Sequence, residues 1–273
     1  MMEIAEARVL ADQLKQSCAS KTILQVTALF SPHKFCWLNK EKEAFESGLV
    51  GKTIVDAKAS AHFIRLILDD QTELIGSEDL DVRRFEDARV AGAKHQLLLR
   101  LSDGGVLRFV VKMYGFLYHG PIEQLTQNPY VRAAFDSVDP RTEAFTYEAF
   151  LRQTGLETGK GSVKQALATE QHVPGLGNGT LQDILFEAGV SPKRKTALLT
   201  EEERIRLYRA VRNTIAAMTQ QGGRDGWTDL FGNPGGYVRK MKTEREVCPA
   251  CHAPLAKEAY LGGKVIYCPN CQK

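Results

Sequence analysis

The strongest constraint on this chain is its ending, where four cysteines are spaced Cys248-x2-Cys251-x16-Cys268-x2-Cys271. Two C-x-x-C knuckles a hairpin apart are the signature of a structural zinc site, because each knuckle brings two thiolates within tetrahedral reach of one ion. The residues between them, Leu255 to Ile266, can form that hairpin, with Gly262-Gly263 as the turn. The first knuckle, Cys248-Pro-Ala-Cys251-His252, also matches the haem-attachment pattern. That reading requires export and leaves the second knuckle unexplained. Disulfides are the other alternative, and a cytosolic chain disfavours them. Cys18 and Cys36 have no matching partner spacing and read as buried small hydrophobes.

At 273 residues the chain is long enough for two domains plus a finger. No apolar run reaches the roughly 18 residues that cross a membrane. The first ten residues, Met1 to Leu10, are acidic and amphipathic and do not read as a secretory signal. The expected compartment is therefore the cytoplasm, with no membrane partner. From Lys193 onward, 15 Lys/Arg stand against 8 Asp/Glu, a net +7, which leaves −4 for the rest of a chain whose total is +3. A basic final third that carries a metal finger suits a polyanionic partner. A solvated helix face accounts for the same charges.

Residues 3–16 read as an amphipathic helix, with Ile4, Ala7, Leu10, Ala11 and Leu14 at helical spacing. From about residue 22 to 118 the pattern is short strands, among them 64–68, 96–101 and 106–111, separated by Asp69-Asp70 and Ser102–Gly105 turns. Strands and turns of this kind predict a β-sandwich. Residues 119–142 hold Gly120-Pro121, Asn128-Pro129 and Asp139-Pro140, a linker composition. Helices follow at 162–169, at 179–188 and from Thr200. There Thr200-Glu-Glu-Glu203 is a capping box, Ile205, Tyr208, Val211, Ile215 and Met218 form the apolar stripe, and Gly222-Gly223 closes the helix. The glycine-rich stretch from Gly223 to Val238 reads as an ordered loop leading to the finger. The fold class is thus α+β: an N-terminal domain over 1–122, a linker over 123–140, a helical domain over 141–242 and a finger over 243–273.

Between two helices runs His172-Val-Pro-Gly-Leu-Gly-Asn-Gly-Thr180. Gly175 and Gly177 permit tight backbone turns, and Asn178 is expected at the N-cap of the next helix. Free amides at a helix start bind phosphate, and Lys164 on the preceding helix can add charge. An ordinary helix–turn–helix corner, with Asn178 as a structural cap, is the alternative. A dinucleotide loop is not, because the third glycine is misplaced and no strand precedes it.

This segment, the Lys-to-Asn spacing and the terminal finger together resemble the formamidopyrimidine-DNA glycosylase / endonuclease VIII family. These are helix–two-turn–helix enzymes of base-excision repair. The family's G-I-G-N-x-x-x-x-E-x-L-F-x-A-G run is similar to Gly175-Leu-Gly-Asn-Gly-Thr-Leu-Gln-Asp-Ile-Leu-Phe-Glu-Ala-Gly189, and its C-P-x-C-Q ending to Cys268-Pro-Asn-Cys271-Gln272. The likeness is strong over roughly 160–273 and fainter through the strand region. It implies a β-sandwich domain, a helix–two-turn–helix domain with a zinc-finger hairpin, and a monomer on double-stranded DNA that holds a damaged base or an abasic site. It further implies that Lys164 and Asn178 grip phosphates, and that Lys264 stands where the family's finger has a phosphate-contacting arginine. A lysine keeps that charge without the bidentate fork.

The departures concern the chemistry. In the family an N-terminal proline amine attacks C1′ of the damaged nucleotide and a following glutamate handles protons. This chain opens Met1-Met2-Glu3-Ile4-Ala5-Glu6, with both glutamates kept and both prolines gone. Met2 takes the nucleophile's place, and an untrimmed Met1 would make its nitrogen an amide. Translation from Met2 would restore an α-amine there. His62 stands where the family has a strand lysine. It reads either as a phosphate-contacting or proton-moving group, or as a plain strand residue. Lys112 and Tyr114, in Val110-Val-Lys-Met-Tyr-Gly115, replace the side chains that fill the hole left by a flipped base. A core aromatic at a strand end is the other reading of Tyr114.

The leading expectation is a DNA glycosylase with altered or weak lyase chemistry, its catalytic residues Glu3, Met2 and Glu6. A non-catalytic lesion- or structure-binding protein on the same fold is the alternative. The Gly-Leu-Gly-Asn segment disfavours a third reading, an unrelated RNA-binding finger protein.

Overall fold

The chain begins by capping its own first helix. Glu3 and Glu6 close a capping box in which the Glu3 amide donates to Glu6 Oε2 at 3.0 Å, and α1 runs from there over Ile4–Cys18. Its apolar stripe is buried as the spacing predicts, with Ile4, Ala7, Leu10, Ala11 and Leu14 all inside. The computed structural model describes every residue except 88, 90, 91 and 93.

Seven strands follow: β1 (Ile23–Ala28), β2 (Cys36–Leu38), β3 (Ile54–Ser60), β4 (Phe63–Leu68), β5 (Thr72–Phe85), β6 (Leu97–Leu101) and β7 (Val106–Pro121). Helix α2 (Lys42–Leu49) interrupts them after β2. The strands pair in the order β1-β6-β7-β5-β4-β3, with β2 added parallel to β7. The long strands β5 and β7 tie two halves together. Their first and last stretches, Thr72–Glu78 and Gly115–Pro121, carry β4 and β3, whereas Leu80–Phe85 and Val106–Val111 carry β6 and β1. Pairing breaks between Glu78↔Gly115 and Leu80↔Val111, where only Asp79 faces Lys112 to Tyr114. Such a bulge bends a sheet. Leucines of both halves (Leu66, Leu74 and Leu117 with Leu97, Leu99 and Leu107) close on one core with Leu10 and Leu14 of α1, as a sandwich requires.

Most of the expected linker, 123–140, falls in two helices, α3 (Ile122–Leu125) and α4 (Pro129–Asp136). Leu125, Val131 and Ala134 pack there against Phe63 and Ile75 in a second cluster. The first unit spans Met1–Asp136 and also claims Gly226–Gly235. That return segment is stitched in: Leu230 is fully buried, its amide donates to Gln13 Oε1 at 3.0 Å, and its carbonyl accepts from the Arg84 amide at 3.0 Å.

The second unit, Ser137–Asp225 with Gly236–Lys273, is helical plus a hairpin. It holds α5 (Tyr147–Thr154), a π-helical turn (Gln165–Thr169), α6 (Asn178–Ala188), α7 (Glu201–Gln220) and strands β8 (Ala256–Tyr260) and β9 (Gly263–Tyr267). Thr200 caps α7 in the expected box, its hydroxyl accepting from the Glu203 amide at 3.2 Å and Glu203 Oε2 accepting from the Thr200 amide at 2.8 Å. The buried stripe of α7 is Leu207, Ala210, Val211, Thr214, Ile215 and Met218. Ile205 and Tyr208, expected in it, sit half-buried at its edge. Among the described residues no helix is long and apolar enough to cross a membrane.

Thr200→Ala removes one half of the reciprocal cap and should lower the stability of this unit by about 1 kcal/mol, read as an earlier urea midpoint at unchanged slope. A variant with the wild-type midpoint would show that the cap contributes nothing.

Candidate functional site

The first cluster of chemistry-bearing groups gathers where β5 bulges. Glu78 adopts φ +74, a left-handed backbone that a residue with a Cβ rarely takes. In that conformation its carbonyl accepts the Met2 amide at 3.1 Å, while Asp79 Oδ1 lies 2.8 Å from the Met1 α-amine. Met2 is only 2% exposed and packs into the core. Glu3 and Glu6 are buried beside it in their capping box.

His62, read from the sequence as a phosphate-contacting or proton-moving group or a plain strand residue, lies in the turn between β3 and β4 and is 2% exposed. Its Nε2 lies 2.8 Å from the Tyr130 hydroxyl and 3.3 Å from Glu78 Oε1, and the Tyr130 hydroxyl donates to the same carboxylate. Burial pushes Glu78 up, but the hydrogen bond and charge of His62 and the Tyr130 hydroxyl outweigh it and hold the carboxyl below its ordinary range. Burial, then the Glu78 charge, pushes the Tyr130 phenol up. As placed, His62 is an internal partner of an acid and not a direct contact for a phosphate. Tyr114 is exposed, with its hydroxyl 3.5 Å from Met1 Sδ. Lys112, two residues before it, points to solvent and lies 3.6 Å from Asp81 Oδ2.

The second cluster belongs to the helical unit. Gly177, not Asn178, is the N-cap of α6, so Asn178 occupies the first helical position. Its side chain lies against the finger: a Cβ on Gly263 would fall 2.2 Å from Asn178 Nδ2. A Cβ there would push the Asn178 amide aside. Lys164 is 2% exposed and donates to the Leu261 carbonyl at 3.1 Å and to Thr169 Oγ1 at 3.3 Å. Burial lowers its pKa from the ordinary lysine value. Lys164, Asn178 and the turn Leu261–Gly263 therefore converge. An ammonium has three protons, and the structure commits two of them to the protein. Lys264 follows on β9 and is exposed.

The four cysteine sulfurs all lie within 4.8 Å of one another, with Cys248–Cys271 at 3.8 Å and Cys251–Cys268 at 3.5 Å. A tetrahedral thiolate site with bonds of about 2.3 Å has its sulfurs roughly 3.8 Å apart, so this donor set fits a metal ion. The Ala250 amide points at Cys248 Sγ at 3.4 Å, a donor that suits a thiolate.

Several residues that organise these sites have no signature in the sequence. Asp183 is fully buried, and its carboxylate accepts from the Lys240 and Met241 amides at 2.9 and 2.8 Å, pinning the segment that leads to the finger. Gln272 is 3% exposed and bridges the Cys268 amide at 2.8 Å and the Val190 carbonyl at 3.0 Å. Glu78, Asp79 and Tyr130 are the others. An adjacent acid pair inside an apolar strand run was the available signal for two of them.

The sequence model of the Formamidopyrimidine-DNA glycosylase H2TH domain matches residues 137–226. The chain is 27% identical to the formamidopyrimidine-DNA glycosylase of Brevibacillus brevis over 282 residues, covering 100% of this chain and 99% of that one. It is 33% identical over 141 residues to a Thermus thermophilus protein of the same name, covering 49% and 52%. The crystal structure of the MutM (Fpg) protein from Thermus thermophilus superposes with a TM-score of 0.84 at 24% identity, covering 99% and 98%. A complex of Lactococcus lactis Fpg with abasic-site DNA superposes with a TM-score of 0.84 at 20% identity, covering 99% of each chain.

Two outcomes are expected here. Because folding depresses the Glu78 pKa, the folded state binds fewer protons than the unfolded one as pH falls, so this carboxylate's contribution is full above its unfolded pKa and lost in acid. The stability gap between wild type and Glu78→Gln should shrink as pH drops below about 4, followed by urea melts across pH. A gap that does not vary with pH would assign Glu78 no ionic role. Separately, purified chain should carry one metal ion, and Cys251→Ser should lose most of it by elemental analysis.

Proposed function

Because this chain belongs to the formamidopyrimidine-DNA glycosylase / endonuclease VIII family, we propose that it is a DNA-repair glycosylase. It releases damaged bases from double-stranded DNA with little or no strand cleavage, acting as a monomer on nucleoid DNA in the cytoplasm. The observation that carries the reading is the Met2 nitrogen. It stands where the family has its proline amine, and in a chain that keeps Met1 it is a peptide amide hydrogen-bonded to Glu78. An amide nitrogen has its lone pair in resonance with the carbonyl and does not attack C1′. Glu3 is the group left to act. Its carboxylate sits at the start of α1, where the helix dipole favours a negative group, and a carboxylate's two oxygens accept more bonds than a helix cap requires. In this reading Glu3 removes a proton from water as the water adds to C1′, and the base departs with the electrons of its glycosidic bond.

The grip on DNA falls to Lys164, Asn178 and Lys264 at phosphates, with Lys112 and Tyr114 at the site of the extruded base. The ion in the four-cysteine cluster is zinc, and its role is structural: it closes the finger whose turn meets Lys164 and Asn178. The second reading, a lesion binder without catalysis, is favoured by the buried Met2 and by the pairing of the Met1 amine with Asp79.

Base release by heat and alkali, run beside borohydride trapping on abasic and oxidised-base duplexes, separates these readings. Release that is abolished in Glu3→Gln, with little covalent trapping, is expected. Strong trapping would make an amine the nucleophile. A broad lesion panel with no release would leave the binder. For the grip, Lys164→Ala should weaken duplex binding across all sequences and flatten the salt dependence by about one unit of log–log slope. A changed sequence preference at an unchanged slope would remove Lys164 from the phosphates.

A further inference from the structure

One face of the first unit carries exposed aromatic rings outside the core, of which only Tyr114 touches the N-terminal cluster. Along β2 the side chains alternate: Cys36 and Leu38 pack toward the core, and Phe35 and Trp37 turn the other way, each 46% exposed. The parallel register sets Cys36 beside Gly115 and Trp37 beside Phe116, and the Gly115 amide donates to the Phe35 carbonyl at 2.9 Å. Phe35 is therefore the strand neighbour of Tyr114. The bulge opposite Asp79 leaves Lys112, Met113 and Tyr114 without backbone pairing on β5, and Met113 and Tyr114 are 66% and 38% exposed. The rings of Phe35 and Trp37 lie 6.2 Å apart, tilted at 55°.

Leaving three aromatic side chains and a methionine in water is unfavourable, and contiguous patches of this kind mark interaction surfaces. The charges at its rim point to the occupant. The Lys34 ammonium lies 5.4 Å from the Phe35 ring centroid, and Lys34 has no carboxylate partner among the described residues. Lys112 lies at the other end, its side chain exposed and its ammonium 3.6 Å from Asp81 Oδ2. Flat rings between two exposed cations match a strand of unpaired bases joined by phosphates: the bases stack and the cations meet the backbone. Lysine is depleted from protein–protein interfaces, so rings rimmed by lysines favour a polyanionic strand over a partner protein.

We propose that Phe35, Trp37 and Tyr114 form a stacking platform for single-stranded DNA, so that this chain engages unpaired bases beside the duplex that it reads. The proposal rests on the DNA-acting reading above, and it adds a second substrate form: strands already open, as in a bubble or fork.

The test uses the full chain and undamaged DNA, a labelled oligothymidylate of about 20 nucleotides and a duplex of about the same length. Phe35→Ala/Trp37→Ala should bind the single strand at least about tenfold more weakly, with duplex binding and base release from a damaged duplex changed less than about twofold. Trp37 emission, isolated in a Trp227→Phe background, should be quenched by the single strand, and Phe35→Tyr/Trp37→Phe should restore binding. Single-strand affinity unchanged by the alanine pair would overturn the platform, as would a duplex affinity that falls by the same factor. Concentration-dependent dimerisation of wild type that the alanine pair abolishes would assign the face to a second copy of the chain instead. Because this DNA carries no lesion, strand binding that depends on the rings, without base release from any lesion, removes only the glycosylase reading. Base release with no such binding removes only the platform.

Discussion

The hydrogen bond from the Met2 amide to the Glu78 carbonyl sets the geometry of the first unit's functional end. That carbonyl faces the N-terminus only because Glu78 accepts a left-handed backbone at the bulge in β5. A residue with a Cβ holds such a conformation when its surroundings over-determine it, at a cost on the order of 1–3 kcal/mol. Here the surroundings are concrete. The Glu78 carboxylate is held by His62 and Tyr130, its carbonyl by Met2, and the next residue, Asp79, by the Met1 amine. The same bulge releases Lys112 to Tyr114 from their strand partner and exposes them. One backbone irregularity therefore fixes the start of α1, buries Met2 and presents the aromatic face.

The second unit solves a different problem, how to hold a small hairpin that has almost no core of its own. Only Val265, Ile266, Cys248 and Cys268 are buried apolar residues of the finger. Its position rests on polar ties that water cannot easily contest. Gln272 links the second knuckle to the end of α6, Asp183 holds the approaching chain by two amides, and Lys164 grips the hairpin turn. Buried polar groups that are fully partnered specify one arrangement, because each alternative leaves a donor or acceptor unpaired. Burial pushes Asp183 up, and its two backbone amides act against that push.

Much of this was legible in residue pattern. The stripe of α1, the turns after β4 and β6, the box at Thr200 and the paired knuckles all follow from local rules of period, capping and spacing, and the structure repeats them. Illegible features depended on contacts distant in sequence. Asn128-Pro129 read as a breaker, yet proline is favoured at the first position of a helix, and Pro129 opens α4 there. The short helix α2 offers only Phe45 and Leu49 as buried residues, too few for a period to show. Glu73, Ser77, Glu78 and Asp79 are buried in β5, so its alternation is masked by the groups that matter most. The return of residues 226–235 to the first unit rests on Gln13 and Arg84, which lie far away in sequence.

The N-terminal groups place two unequal constraints on positions 2 and 3. Glu3 has two duties: it caps α1, and it presents a carboxylate at a helix start. The first duty is structural and would keep a glutamate there whatever the chemistry. Position 2 is held less tightly, since any residue whose nitrogen reaches the Glu78 carbonyl and whose side chain fills the core serves the fold. Met2 meets both conditions. A helix cap constrains residue type more tightly than a backbone hydrogen bond does. A change at Met2 can therefore leave Glu3 and the start of α1 undisturbed, because the cap and the backbone bond are separate constraints.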